Sequence, residues 1–389
     1  MVHRVGHSVN DPFVGGRAPH IERESVTRPA ENEYVRNRLI FPALLLALAL
    51  GLAGCGDKAR HTAGPRPQPR TYRMGFSAIP PKPDLTVALA AIDLWSRRAD
   101  AAILHFDPPW DTLLKGCPVD LAVQVQHKPL VDYYRSKGMR VFVTIDATNG
   151  LDRSAESPGL VSAGRSLSEP DVRQIYRDYA VAVDTILRPD YLGLAAETNL
   201  IRAAASPTIY DAVVQAANGA AADIRAFDTQ VVLDVSIQVE TAWGRLGGGG
   251  TFEGIATDLA DFPFVQAIGL SSYPYLGGFA EPEDIPLDYY SRITTLPMMV
   301  VEGGWASESV GPVVTTRQKQ ARYLRRQMQL LDEARALAVF QLTFTDLDPA
   351  YFPPSSILPL FATLGLVDVN LAGKPALAPW DSAYARPRQ

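Results

Sequence analysis

Short apolar runs alternate with longer amphipathic stretches from Thr71 to the end of the chain. Several of the short runs are apolar throughout, which is typical of parallel strands covered on both faces. The predicted strands are Tyr72–Ile79, Ala101–Phe106, Arg140–Ile145, Tyr191–Ala196, Gln230–Ile237, Val265–Ser271, Met298–Val301 and Leu337–Thr343. The predicted helices are Val87–Arg98, Lys128–Lys137, Glu169–Leu187, Ile209–Phe227, Phe252–Leu259 and Thr315–Ala334. Eight strands with helices between them predict a single (β/α)₈ TIM barrel over residues 71–389.

The lengths of the connections indicate which face of this barrel carries function. Links from helix to strand are short, as at Asp228-Thr229. Links from strand to helix are long, as at Asp146–Leu167, Glu240–Gly250 and Tyr273–Ile285. In a TIM barrel the loops that follow the strands build the active site. The sequence therefore predicts a site at the carboxyl ends of the strands.

Two glutamates end predicted strands on that face. Glu197 follows the fourth strand, and Glu302 follows the seventh. Retaining glycoside hydrolysis needs two such carboxylates, one as acid/base and one as nucleophile. Gly303 and Gly304 let the backbone turn sharply beside Glu302 and leave space for its carboxylate. The competing interpretation for Glu302 is a structural glutamate bonded to backbone amides at a strand end. For Glu197 it is an ordinary solvated glutamate that opens a loop.

Aromatic residues follow the same strand ends, where rings with a polar tip suit a partly wet sugar cleft. The candidates for substrate binding are Tyr273, Tyr275, Trp110, Trp243 and Trp305. Tyr273 is also placed to donate a hydrogen bond to the seventh-strand glutamate and keep it ionised. Packing in the core is the competing interpretation for every one of these rings.

Other polar residues at the strand ends are candidates for contacts with a sugar. Asp146 follows the third strand and is expected to bind substrate. Glu240 follows the fifth strand and is the chief rival for a catalytic role. Asp346 and Asp348 follow the eighth strand, where they either bind sugar hydroxyls or face solvent.

Three segments in chain order resemble clan A of the glycoside hydrolases, and within it most the arabinogalactan endo-β-1,4-galactanases. They are Tyr191–Asn199, Gly269–Tyr275 and Pro297–Trp305. The C-terminal segment Gly365–Trp380 is also similar to the ending of many such barrels. The resemblance implies cleavage of a β-linked glycan, galactan-like or another hemicellulose.

The resemblance also implies roles for the two glutamates and exposes two departures. Glu197 matches the acid/base, protonated at working pH, and Glu302 matches the nucleophile. Clan A enzymes usually place Asn directly before the acid/base, where it binds the substrate 2-hydroxyl, but here that residue is Ala196. Asn199 is the candidate to replace this amide. The strand-two arginine common in the clan is missing from Ala101–Trp110.

Two functions of another class stay open. Ala196 motivates the first, a catalytically impaired barrel lipoprotein that only binds glycans. The second is a two-lobed solute-binding lipoprotein, which is disfavoured because such proteins lack paired glutamates after strands four and seven.

The composition excludes several other classes. The 389 residues are 47% hydrophobic and 20% charged, as in an ordinary globular protein. A net charge of −5 does not favour nucleic-acid binding. Only His61, His105 and His127 lie beyond the leader, and no metal-binding histidine motif is present. We expect no cofactor and no metal, an oligosaccharide or polysaccharide as substrate, and a monomer.

The N-terminus carries the features of a bacterial lipoprotein. Arg36 and Arg38 precede the apolar run Leu39–Gly54, which ends in Leu-Ala-Gly before Cys55. This pattern resembles the lipobox and predicts a signal peptide over residues 35–54, cleaved so that a lipidated Cys55 begins the mature chain. An uncleaved anchor is disfavoured because the run is short for a bilayer span.

The segments around this signal follow from it. Residues 55–70 are rich in proline and basic side chains and are expected to form a solvated tether. Residues 1–34 are polar, without apolar periodicity, and we interpret them as a dispensable extension, with translation starting at Val35. The expected location is the cell envelope, facing the periplasm or the exterior, with membrane contact through the lipid only.

Overall fold

The computed structural model describes residues 68–247, 249–353 and 356–389. The predicted extension, the predicted signal peptide and Cys55 lie outside these residues. Within them, no helix is both long enough and apolar enough to cross a membrane.

The described residues form ten β-strands. They are Arg73–Ser77 (β1), Ala101–Phe106 (β2), Arg140–Ile145 (β3), Thr148–Asn149 (β4), Asp152–Glu156 (β5), Tyr191–Gly193 (β6), Val232–Gln238 (β7), Ala267–Ser272 (β8), Met298–Gly303 (β9) and Ala338–Gln341 (β10). Eight of them close a parallel barrel in the order β1-β10-β9-β8-β7-β6-β3-β2, and β4 pairs with β5 as an antiparallel hairpin. The predicted (β/α)₈ barrel is confirmed.

Helices cover the outside of this barrel. In the described part of the chain they are Leu85–Trp95 (α1), Trp110–Leu113 (α2), Val119–Gln126 (α3), Lys128–Ser136 (α4), Pro158–Ala163 (α5), Pro170–Leu187 (α6), Thr198–Ala204 (α7), Pro207–Arg225 (α8), Val239–Ala242 (α9), Ala256–Asp261 (α10), Arg317–Glu333 (α11) and Leu377–Tyr384 (α12). Polar residues fix several starts: the side chains of Asp84, Ser206 and Thr316 each accept a hydrogen bond from the first turn of α1, α8 and α11.

Large side chains fill the interior of the barrel. Phe142 of β3 stacks on Tyr191 at 4.5 Å and packs edge-on against Phe340 of β10 at 4.9 Å. Gly75 of β1 lies so close to β2 that a Cβ atom there would come within 2.1 Å of the Ala101 carbonyl oxygen. The interior of the barrel is therefore packed with side chains and is not an open channel.

The structure departs from the predicted elements mainly between β3 and α6. The segment predicted as the long loop Asp146–Leu167 contains the β4–β5 hairpin and the short helix α5. The helix predicted over Phe252–Leu259 instead spans Ala256–Asp261. An additional helix, α3, ends at Gln126, just before α4, which carries Pro129 in its first turn. Proline suits the first turn of a helix because its missing N–H has no partner there.

Candidate active site

Glu197 lies four residues beyond the end of β6 and directly before α7, in a left-handed backbone conformation with φ 48° and ψ 48°. Such a conformation costs a non-glycine residue about 1–3 kcal/mol and persists only when neighbouring bonds hold it. Here the Glu197 N–H donates to Ser236 Oγ at 2.9 Å, and its carbonyl accepts bonds from Leu200 and Ile201. The strand end therefore fixes the direction of this side chain.

A β-bulge aims Glu302 at the same place. β8 and β9 pair Leu270 with Val300 and then Ser271 with Glu302, so Val301 is the extra residue on β9. Val301 packs inside the barrel. A regular strand would point its neighbour Glu302 to the opposite face, but the bulge turns it toward Ser271.

Gly303 allows β9 to continue past this bulge. Its φ is 159°, and a Cβ atom at this position would lie 2.5 Å from the Ser272 carbonyl oxygen. Only glycine fits so close to the neighbouring strand. Glycine is therefore needed beside Glu302 because the backbone of β8 comes so close to this position.

One hydroxyl group joins the two glutamates. Ser271 Oγ lies 2.6 Å from Glu197 Oε1 and 2.8 Å from Glu302 Oε1. The two carboxylate oxygens are therefore no further apart than these two bonds laid end to end, about 5.4 Å, against the about 5–5.5 Å that retaining glycosidases show. Both glutamates lie on the same rim of the barrel.

Arg153 of β5 is the cation of this site. Its Nε donates to Glu197 Oε2 at 2.8 Å, and its Nη1 donates to the two Asp146 carboxylate oxygens at 2.8 and 2.6 Å. Thr148 also donates its backbone N–H to Asp146 Oδ1. Asp146, predicted to touch substrate, thus orients the arginine. The strand-two arginine common in clan A is absent from Ala101–Trp110, and Arg153 instead reaches Glu197 from the β4–β5 hairpin.

Burial and the neighbouring charges shift the pKa of Glu302. Burial, together with the negative charge of Glu197, raises the pKa of Glu302 to about 7, against the opposing effects of Ser271 and Arg153. His105 Nε2 lies 3.9 Å from Glu302 Oε2, but burial lowers the pKa of this histidine to about 4. His105 is therefore neutral at pH 7 and is not an ion-pair partner.

Tyr273 stands beside the pair as a neutral hydroxyl. Burial and the negative charges of Glu302 and Glu197 raise its pKa well above the usual value of a phenol. Its ring packs edge-on against Phe361 at 5.0 Å and against Tyr275 at 6.3 Å. The phenol keeps its proton and is available as a hydrogen-bond donor near the two carboxylates.

Asn199 is occupied by the backbone of a neighbouring strand. Its amide nitrogen donates to the Gln238 carbonyl at 2.9 Å, and its amide oxygen accepts from the Gln238 N–H at 2.8 Å. The side chain is buried and both ends of the amide are bonded. Asn199 ties α7 to β7 and does not replace the amide that is absent at Ala196.

Several predicted stacking rings have no face to offer a sugar. Trp110 and Trp305 are each 1% exposed, and Trp305 Nε1 donates to Thr315 within the core. Trp243 stacks on Tyr289 at 5.2 Å. The prediction of sugar stacking is wrong for the two buried tryptophans, because aromatic residues at strand ends pack the loops together as often as they line a cleft.

Tyr275 is also a packing residue. It is buried, and its hydroxyl donates to the Leu360 carbonyl at 2.8 Å. This bond joins the loop after β8 to the segment after β10. Of the predicted substrate-binding rings, Tyr273 is therefore the one whose environment involves the two glutamates.

Glu240 is a buried structural carboxylate. It accepts hydrogen bonds from the Tyr289 hydroxyl at 2.8 Å, the Tyr273 N–H at 3.0 Å and Ser272 Oγ at 3.2 Å. Gln238 is a further donor. A carboxylate with this many protein donors has little capacity left for a substrate, so the rival catalytic role is not supported.

The acidic residues after β10 are structural too. Asp346 is buried and pairs with Lys374 Nζ at 2.6 Å, while Asp348 accepts the Ala350 N–H at the start of a short 3₁₀ turn. Within the described residues, neither carboxylate forms a hydrogen bond with Glu197 or Glu302. Among the described ranges, no group of three His, Cys, Asp or Glu side chains is arranged to hold a metal ion.

Sequence reasoning missed Arg153 and Ser271. Ser271 is the last residue of a predicted strand and lies in the segment Gly269–Tyr275, but nothing in the sequence separates it from the neighbouring Ser272. Arg153 lies in a polar segment without alternation, so neither its hairpin nor its direction was predictable. The one available signal was the unusual length of the segment after β3.

Comparisons with known proteins agree with the fold. No family model matches this chain. No curated protein matches its sequence. Many solved structures match. The exo-β-1,4-mannosidase Op5Man5 from Opitutaceae bacterium strain TAV5 gives a TM-score of 0.61 at 17% identity, covering 81% of this chain and 60% of that one.

Two further solved structures are matched over nearly their whole length by this chain. The GH53 catalytic domain of Ignisphaera aggregans gives a TM-score of 0.54 at 15% identity, over 81% of this chain and 91% of that one. Xylanase 10B from Thermotoga maritima gives 0.51 at 14% identity, over 81% and 95%. At 14–17% identity these structures show the fold that this chain shares with them, while the clan A and galactanase resemblances stay predictions.

Proposed function

We propose that this chain is a retaining glycoside hydrolase that cleaves a β-linked glycan. The observation that carries the proposal is the contact of one hydroxyl, Ser271 Oγ, with both Glu197 and Glu302 at the carboxyl ends of the barrel strands. This contact keeps one oxygen of each carboxylate within about 5.4 Å of the other, which supports the short separation of a retaining pair over the about 6.5–9.5 Å that inverting pairs need.

Two steps follow from this geometry. Glu302 attacks the anomeric carbon while Glu197 gives its proton to the leaving oxygen, so the glycosidic bond breaks and a glycosyl-enzyme ester forms. Glu197, now a carboxylate, then takes a proton from water as the water oxygen attacks the same carbon. The ester breaks, Glu302 is released, and the sugar leaves with its original anomeric configuration.

The substrate class rests on the sequence resemblance and on the neighbours. The three motif segments resemble galactanases, and the similar structures include proteins described as a β-1,4-mannosidase and a xylanase. We propose a galactan-like glycan or another hemicellulose.

A panel of chromogenic aryl α- and β-glycosides, together with β-1,4-galactan, mannan and xylan, tests this proposal. Aryl release or shortened oligosaccharides from at least one β-linked member is the expected result. Cleavage confined to α-linked substrates would contradict it, because the resemblance and the neighbours all concern β-linked glycans.

A glycan-binding protein without activity is the second candidate, and Ala196 favours it. No amide stands at this position, and the Asn199 amide is committed to the Gln238 backbone. Hydrogen bonds to the substrate 2-hydroxyl contribute several kcal/mol in such enzymes. Calorimetric binding of an oligosaccharide that is never cleaved would favour this candidate. The two-lobed solute-binding alternative is inconsistent with the closed barrel.

We also propose that the protein is a lipoprotein anchored through Cys55. The Leu-Ala-Gly-Cys sequence after a short apolar run supports this. A Cys55→Ser variant is expected to stay unprocessed or become soluble, because the lipid and the cleavage both depend on the thiol. Partitioning into a detergent phase measures the change, and unchanged partitioning of the variant would contradict the anchor.

A further inference from the structure

The bonds of Ser271 require a shared proton. A serine hydroxyl has one hydrogen, so it can donate to only one of the two carboxylate oxygens that it contacts. Both contacts nevertheless have hydrogen-bonding lengths, 2.6 Å to Glu197 and 2.8 Å to Glu302. A hydrogen bond there exists only if the second carboxyl carries a proton and donates to Ser271 Oγ. If both hydrogen bonds are formed, the chain Glu197–Ser271–Glu302 holds one carboxylic acid and one carboxylate.

The surrounding charges decide where that proton rests in the free protein. Arg153, which stays protonated, contacts Glu197 at 2.8 Å and is held from behind by Asp146. Among the residues that the structure describes, no cation lies at this distance from Glu302. The groups that face it are Ser271, the neutral His105 3.9 Å away, and the buried Tyr273, whose own pKa responds to the charge of Glu302.

We propose that Ser271 relays a proton between Glu302 and Glu197, and that Arg153 places this proton on Glu302 in the free protein. The inference rests on the proposed function, since Glu197 needs the proton to act as an acid. In the relay, the Glu302 carboxyl gives its proton to Ser271 Oγ while the hydroxyl proton of Ser271 passes to Glu197 Oε1. Glu302 becomes the carboxylate nucleophile and Glu197 the acid, and the charge of the pair is unchanged.

The raised pKa of Glu302 agrees with a proton on this residue in the free protein. Burial and the charge of Glu197 raise the Glu302 pKa to about 7, so the pair keeps its proton at pH values below about 7. Above this pH the pair loses the proton that the relay would deliver. Ser271 and Arg153 are thus positioning residues that act through the glutamates and not by contact with the sugar.

The location of the proton can be measured without any substrate. In protein carrying ¹³C-labelled glutamate carboxyls, Glu197→Gln and Glu302→Gln identify the two signals. We expect Glu302 to be the protonated member at pH 6. Arg153→Met should move the proton to Glu197, whereas Arg153→Lys, which keeps the charge, should leave it on Glu302. A protonated Glu197 in the wild type at pH 6 would overturn the assignment to Arg153.

A distant arginine provides the matched control. Arg177 makes a comparable fork with Asp223, at 2.7 Å, but on the outer surface between α6 and α8. Arg177→Met should leave both carboxyl titrations as in the wild type. If Arg177→Met and Arg153→Met shift the carboxyl titrations equally, the shift is general, and the proposed role of Arg153 is overturned.

The relay itself is tested by turnover. Ser271→Ala should lower kcat about 10- to 100-fold on substrates with poor leaving groups, which need the acid most, with KM little changed. Ser271→Thr keeps the hydroxyl and should restore most of kcat. Equal kcat in Ser271→Ala and wild type would overturn the relay. If the wild type cleaves nothing, the hydrolase proposal fails, and the carboxyl titration still decides where the proton rests.

Discussion

Replacing Glu302 with glycine is expected to lower glycoside cleavage by more than about 10⁴-fold, because the attacking carboxylate is removed. Azide should restore turnover in this variant, since a small anion fits the space that the side chain leaves. The product should be the glycosyl azide of opposite anomeric configuration, because azide attacks the substrate directly. Thin-layer chromatography and NMR of the azide product measure the outcome.

The partner variant and a control complete this test. Glu197→Ala should slow substrates with poor leaving groups far more than activated aryl glycosides, and azide should there give a product of retained configuration. Glu308→Gly removes an exposed glutamate on the segment after β9, which pairs with Arg317, and should leave activity unchanged. Wild-type activity in either catalytic variant would remove that residue from the mechanism.

Replacing Lys374 with methionine is expected to lower the free energy of unfolding by about 3–5 kcal/mol, because it strands a buried carboxylate. Lys374 Nζ contacts Asp346 at 2.6 Å, with side-chain exposures of 1% and 9%, and also donates to Ser307 and to the Thr363 carbonyl. These bonds fix the segment after β10 against the loop after β9. Urea unfolding measures the loss.

Two further variants and the pH dependence make this prediction specific. Lys374→Met with Asp346→Leu should recover much of the loss, because no buried charge is left. Lys128→Met breaks an exposed helical pair with Asp132 and should cost less than about 1 kcal/mol. An equal loss in Lys374→Met and Lys128→Met would contradict the account.

The cost of Lys374→Met should grow with pH. Burial already raises the pKa of Asp346 to about 6, so the stability that this carboxyl contributes in its protonated form is lost as the pH rises through that value. Without the lysine the pKa of Asp346 rises further, and the loss extends to higher pH. Unfolding at pH 5 and pH 8 should therefore show the larger effect at pH 8.

The barrel was predictable because its strands are buried on both faces. Segments such as Arg140–Ile145 read as apolar runs between helices, and their limits agree with the structure. The fourth strand was predicted as Tyr191–Ala196, but regular pairing ends at Gly193, where the chain begins to bend toward the left-handed Glu197. Strand positions follow from hydrophobicity, whereas the backbone strain near a site does not.

The two glutamates were predictable and the groups that govern them were not. Glu197 and Glu302 each follow an apolar predicted strand, at the face of the barrel where active-site residues are expected. Ser271 meets Glu302 only because of the bulge at Val301, and no sequence pattern marks that bulge. Arg153 reaches Glu197 from a separate hairpin 44 residues away in sequence.

The direction of a side chain at a strand end is equally hidden in the sequence. Trp110, Trp305 and Asn199 follow strands at the active face, as predicted, but all three are buried by contacts within the protein. Position along a strand indicates the rim of the barrel. Only the packing of neighbouring loops decides whether a side chain on that rim faces a substrate.

The stereochemistry of cleavage tests the central claim most directly. For the substrate that the panel identifies, ¹H NMR follows the first anomer released, before mutarotation mixes the two. Carboxylates that share the Ser271 hydroxyl, at 2.6 and 2.8 Å, predict that the β-anomer appears first, through a glycosyl-enzyme ester on Glu302. An α-anomer appearing first would mean direct attack by water and would contradict the proposed role of Glu302.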